Sequence, residues 1–116
     1  MPYEKERQYY RLLFPPGDLA EFLVGLLRMH IHEASERGIR YEPIEGHRLK
    51  QGDRVEGTVR FRSVGEFEVA GTMSRWQGRT VVIVLDPPGI PYSALIAEQL
   101  LLRRHYPDRY LRKDGK

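Results

Sequence analysis

Cysteine is absent from the chain. That excludes a disulfide framework and a thiolate metal centre, and it suits a reducing compartment. Long apolar runs are missing too. The longest, Val81-Val82-Ile83-Val84-Leu85, falls far short of the roughly 20 residues a membrane helix needs. The opening Met1-Pro2-Tyr3-Glu4-Lys5-Glu6 is charged and has no apolar signal-peptide core. The expectation is therefore a protein with no membrane span and a cytoplasmic location. Neither sign of charge is in large excess: 19 Lys and Arg against 16 Asp and Glu give a net charge of +3. So mild a balance does not demand bulk attraction to a nucleic-acid polymer, but one local basic site is compatible with it.

Signatures of catalysis are equally scarce. There is no nucleophile elbow, no local Ser/His/Asp arrangement and no Walker-type glycine loop. Glu66 and Glu68 share a strand face, as solvated carboxylates on soluble strands commonly do. His30 and His32, with Glu33 beside them, are too few for a tight metal site. The expectation is no catalytic residue, no metal and no resident cofactor.

What is present is a chain of 116 residues, 41% hydrophobic and 30% charged, which fits one globular domain with a real core. Residues 1–11 carry both charges and show no steady period, so they read as a flexible N-terminal arm. Phe14-Pro15-Pro16-Gly17-Asp18 breaks any helix, because proline fixes φ and lacks a donor. Leu19–Arg28 fits either a helix or two short strands joined near Gly25, and the β character of the residues after it favours strands. Met29 and Ile31 alternate with His30 and His32. Glu33–Gly38 forms a polar turn, and Ile39 and Tyr41 face inward beyond it. Pro43–Asp53 is a loop marked by Gly46 and Gly52.

Arg54–Arg62 is the clearest strand, with Val55, Gly57, Val59 and Phe61 on its inner face. Ser63-Val64-Gly65 turns the chain, and Glu66–Ser74 returns with Phe67, Val69, Gly71 and Met73 inward. Trp76-Gln77-Gly78-Arg79 reads as a further turn. Thr80–Leu85 is apolar on both faces and is expected to be covered on both. Asp86–Pro91 stops the sheet. Ser93 reads as the N-cap of a helix over 92–106, with Leu95, Ile96, Leu100, Leu101 and Leu102 as its apolar face and Arg103, Arg104 and His105 at the end where the dipole favours cations. Pro107 ends it, and 107–116 is a charged tail. About six short strands and a closing helix predict an all-β domain with a C-terminal helix: a small antiparallel barrel over 12–91, closed so that no edge is left exposed.

Two stretches stand out as candidate binding residues. In Arg7-Gln8-Tyr9-Tyr10-Arg11, two guanidinium forks sit four residues apart, each suited to two-pronged bonding to phosphate or a guanine edge. The plainer reading is a solvated basic tail. In Glu33-Ala34-Ser35-Glu36-Arg37-Gly38, an extended backbone puts Glu33 and Ser35 on one face. A carboxylate there accepts from guanine N–H groups, a hydroxyl donates to phosphate, and Gly38 lets a ligand approach. The plainer reading is an ordinary β-turn.

Arg-x-x-x-Arg, then about twenty residues, then Asp/Asn-x-Ser-x-x-Gly opening a strand, is the signature of PilZ domains, and the two stretches together resemble it. Gly52-Asp53, Gly65, Gly71 and the helical Glu98-Gln99 are similar to the layout of that family. The resemblance implies a six-stranded β-barrel with a C-terminal helix, 1–116 forming one domain, that acts as a receptor for cyclic di-GMP. It implies that Arg7 and Arg11 wrap over the ligand, that Ser35 and Gly38 lie beside guanine and phosphate, and that Trp76 either stacks on a guanine or packs at a turn edge. Ordering of the arm would carry the signal to a downstream protein partner whose identity the sequence does not give. The chain departs from the pattern at Glu33, which stands where the family has Asp or Asn, and at Glu6, where many members have another arginine. The longer carboxylate either still accepts guanine donors or repels the phosphates. In the latter case the domain is a ligand-independent adaptor. A third reading, a groove for single-stranded nucleic acid formed by Arg60, Arg62, Arg75 and Arg79 with Trp76, is diluted by Glu56, Glu66 and Glu68.

Overall fold

Seven strands and one helix succeed one another in the computed structural model, which describes residues 10–107. They are β1 (Leu12–Leu13), β2 (Ala20–Val24), β3 (Leu27–Ser35), β4 (Gly38–Glu42), β5 (Arg54–Phe61), β6 (Gly65–Gln77), β7 (Thr80–Leu85) and α1 (Tyr92–His105), with a single 3-10 turn at Pro16–Asp18. The strand order is β1-β3-β2-β5-β6-β7-β4, and pairing of β3 with β4 closes the ring. Strands β2 to β7 thus form a six-stranded antiparallel barrel, with β1 as an extra strand on β3. The expected fold class is what is found.

The ambiguous stretch 19–28 is a hairpin. Gly25, at φ +58°, makes the tight turn that residues with a Cβ resist. Alternation then fills the barrel: Phe22, Met29, Ile31, Tyr41, Val59, Met73 and Ile83 are all at most 1% exposed. Burying each of the larger of these side chains contributes on the order of 1.5–3 kcal/mol. Gly57 and Gly71 take inward positions where strands approach closely. A Cβ on Gly57 would lie 2.5 Å from the Leu23 carbonyl oxygen, and one on Gly71 2.4 Å from that of Val84.

Three expectations are corrected. Strand β6 does not stop at Ser74 but runs to Gln77, and the turn is confined to Gly78-Arg79. A register shift between Met73 and Arg75 breaks the alternation, which is why the inward-outward pattern of the sequence ends there. Strand β7 is not covered on both faces: Val84 is 49% exposed and Val82 half-buried. Ser93 lies inside the helix, and Pro91, with φ preset at −61°, holds the N-cap position without a side-chain cap.

The helix also docks differently from its expected leucine stripe. Leu100 is exposed, whereas Ala94, Leu95, Glu98, Gln99 and Leu102 are buried. The Glu98 carboxylate accepts from the Arg62 amide (3.2 Å), the Ser63 amide (2.9 Å) and the Ser63 hydroxyl (2.6 Å). Three donors offset the desolvation of a buried charge and tie the helix to the β5–β6 turn. At the other end Tyr106 donates to Asp18 at 3.2 Å, and Asp18 also pairs with Arg62.

Candidate ligand-binding face

The pairing of β1 with β3 is what joins the two sequence motifs. Leu12 lies opposite Ala34 and Leu13 opposite Glu33. One step further back along the same register sets Arg11 across from Ser35. Leu12 and Ala34 are buried at 1% and 0% exposure, so alternation sends Arg11, Leu13, Glu33 and Ser35 to the outer side.

That outward phase depends on an irregularity. On β3, Met29 and Ile31 face the core, but the next inward residue is Ala34, three positions on. The β3–β4 register shifts between Ile31 and Glu33, with His32 as the extra residue. Without this bulge the period of two would turn Glu33 and Ser35 into the core. Strand β6 repeats the device. Met73 pairs with Ile83, Arg75 with Val82, and Ser74 is the extra residue. Because Val81 and Ile83 are fully buried, Val82 points outward and Arg75 with it. The two bulges therefore aim Glu33 and Ser35 from one side, and Arg75 and Gln77 from the other, at the same outer surface.

Across that surface the registers form a continuous row, Leu13–Glu33–Arg40–Val82–Arg75, through β1, β3, β4, β7 and β6. The neighbouring row reads Ser35–Gly38–Val84–Thr72. Arg11, Glu33, Ser35, Gly38, Arg40, Arg75, Gln77 and Val82 line a shallow cavity of about 120 Å³. Three guanidinium groups face one carboxylate, an excess of positive charge. Glu33 lies between two of them: Oε1 is 3.2 Å from Arg40 Nε and Oε2 is 3.5 Å from Arg11 Nη1. Arg40 is further held by the Thr80 hydroxyl at 3.4 Å, which itself donates to the Gln77 carbonyl at 2.6 Å. Arg11 is the looser partner, with its side chain 75% exposed, and such pairs contribute only about 0–1 kcal/mol. The β3–β4 turn beside the cavity is braced from below. The Glu36 carbonyl accepts from the Ile90 amide, the Arg37 carbonyl accepts from the Leu85 amide, and Arg37 Nε donates to the Leu85 carbonyl.

No family model and no curated protein matches the chain. Among solved structures the chain is similar to "Structure of Bacillus subtilis Inhibitor of motility (MotI/DgrA)", with a TM-score of 0.56 and 18% identity, over 89% of this chain and 53% of that one. The chain thus spans about half the length of the structure it matches, and the likeness is one of fold. The fold is PilZ-like.

Within this PilZ-like barrel, Arg11, Glu33, Ser35 and Gly38 are brought together. Arg7 lies outside the described residues. Gly38 is not among the glycines with positive φ, so its contribution is the space left by a missing side chain. The Ser35 hydroxyl reaches the Gly38 carbonyl at 3.4 Å. Trp76 does not line the cavity. It pairs with the buried Val81, in the opposite phase to Arg75 and Gln77, and is 53% exposed at the end of β6. Arg60 is engaged by Glu66 and Glu21, and Arg62 by Asp18, so those two arginines of the supposed nucleic-acid groove are already neutralised. His32 stands 3.6 Å from Glu42. Among the described residues there is no cluster of three or more metal-ligating side chains and no helix long and apolar enough to cross a membrane. The motifs do not point to Arg40 or Gln77, although Arg40 is legible as the outward residue next after Gly38 on an alternating strand.

Proposed function

We propose that this PilZ-like domain is a receptor for cyclic di-GMP that acts by binding and not by catalysis. The observation that carries the reading is the β1–β3 register, which sets Arg11 beside Glu33 and Ser35 on one outward cavity. The ligand has two phosphates and two guanines. Arg11 supplies a fork for phosphate or a guanine edge, Ser35 a hydroxyl, Glu33 an acceptor for guanine N–H groups, and Gly38 unobstructed backbone. At about 120 Å³ the cavity is smaller than the roughly 300–1,000 Å³ of a typical small-molecule pocket. It takes one part of the dinucleotide, and the segment before Arg11, with Arg7, covers the rest. Closure of that segment presents a new surface to a protein partner and transmits the signal.

Calorimetric titration of cyclic di-GMP into the full chain tests this. Arg11→Ala is expected to weaken binding at least about tenfold, or ~1.4 kcal/mol. Wild-type affinity in that variant contradicts the assignment.

One observation favours a second reading, a ligand-independent interaction domain: both oxygens of Glu33 are already engaged by arginines. No heat and no amide shift changes on titration would support it. Gain of binding in Glu33→Asp, whose shorter side chain releases Arg11, would identify the carboxylate as the reason.

A further inference from the structure

Arg75 belongs to neither motif, yet it forms the wall of the cavity opposite Arg11. Its state differs from that of its neighbours. Arg40 is held by Glu33 and Thr80, Arg54 by Asp86, Arg60 by Glu21 and Glu66, and Arg62 by Asp18. Among the described residues no carboxylate pairs with Arg75. Its partner is a neutral amide: Nη2 donates to Gln77 Oε1 at 3.3 Å. That bond steers the plane of the guanidinium without neutralising it. Between Arg75 and Arg40 lies the half-buried Val82, an apolar floor on which the face of a purine can rest while its edge meets Arg75.

Guanine offers two adjacent acceptors, O6 and N7, on the edge that a guanidinium fork fits. Adenine replaces O6 with an N6–H₂ donor that opposes it. Resting on the cyclic-dinucleotide reading, we infer that Arg75, oriented by Gln77, reads the O6/N7 edge of one guanine and makes the site select guanine over adenine. The bulge at Ser74 is what turns it to this task.

The test titrates cyclic di-GMP, cyclic di-AMP and cyclic di-IMP into the full-length wild type, Arg11→Ala, Arg75→Ala and Arg75→Lys. Arg75 is exposed, and unchanged melting of its variants confirms that they fold. Arg75→Ala is expected to lose roughly ten- to a hundredfold in affinity for cyclic di-GMP, the scale of one bidentate pair, and little for cyclic di-AMP. The loss persists with cyclic di-IMP, whose base keeps O6 and N7. Lysine keeps the charge but not the fork, so Arg75→Lys loses the preference too. Equal weakening toward all three ligands, or rescue by lysine, overturns the inference in favour of a phosphate contact. Unchanged affinity in Arg75→Ala, with binding lost in Arg11→Ala, overturns it and leaves the receptor reading standing. A wild type that binds none of the three removes both.

Discussion

Two outward concavities among the described residues differ in size and charge, and the larger of the pair is not the one the motifs occupy. Between β5, β6 and the Asp86–Gly89 segment lies a groove of about 500 Å³ lined by Glu56, Thr58, Glu68 and Asp86 among others. The cavity over β3, β4, β6 and β7 measures about 120 Å³ and is lined by Arg11, Arg40 and Arg75. The groove is acidic. Its Asp86 is taken up by Arg54 at 3.1 Å, an interaction that holds the Asp86 carboxyl below its ordinary range. A dianionic ligand is repelled by the first surface and attracted by the second. Size alone does not mark the site; the sign of the charge and the direction of the donors mark where a phosphate can bind.

The most disruptive way to probe the contrast is through the groove's own framework. Gly71 lies on β6 where a side chain would meet the Val84 carbonyl, so Gly71→Val should cost about 1–3 kcal/mol or more, read as a lowered urea midpoint. Next comes Arg11→Ala, with its tenfold loss of dinucleotide affinity at unchanged stability. If the larger groove were the site, the double variant Glu56→Gln with Glu68→Gln would alter binding most. We expect its affinity to stay within about twofold of wild type, since rim charges far from a ligand are screened beyond roughly 10 Å. Smallest is a pH effect remote from both concavities. Burial lowers the pKa of His47, whose Nε2 meets the Tyr41 hydroxyl at 2.6 Å. A histidine held neutral by folding contributes stability that is full above its unfolded pKa of about 6.5. That contribution is lost as pH falls below this value toward the depressed folded one. Melting temperature should therefore drop modestly from pH 7.5 to 5.5, and less so in His47→Gln.

Much of the barrel is legible in the sequence because alternation reports burial directly. Val55, Val59, Phe61, Val69 and Met73 are inward as their spacing predicts, and Gly25 turns the first hairpin. Arg11 and the Glu33–Gly38 stretch are visible as motifs, but the pairing that joins them is not, because a two-residue strand has no period. The extra residues His32 and Ser74 carry no signature of their own. Alternation alone therefore cuts β6 short, groups Arg75 with unrelated arginines and leaves Trp76 without its phase. Glu98 is visible as part of the helix, but its grip on the β5–β6 turn depends on a long-range approach of two segments that no local pattern records.

The two bulges also bear on how such a surface arises and is lost. Drawing Ser74 into the regular alternation would exchange the two sides of the strand end, driving Arg75 and Gln77 toward the hydrocarbon interior and turning Trp76 out in their place. Deleting it would instead join Met73 directly to Arg75 and leave all three on their present sides. Lineages that lose the extra residue therefore keep the sidedness of their recognition residues. Those that keep it but let it pair must rebuild the far wall of the cleft from different side chains.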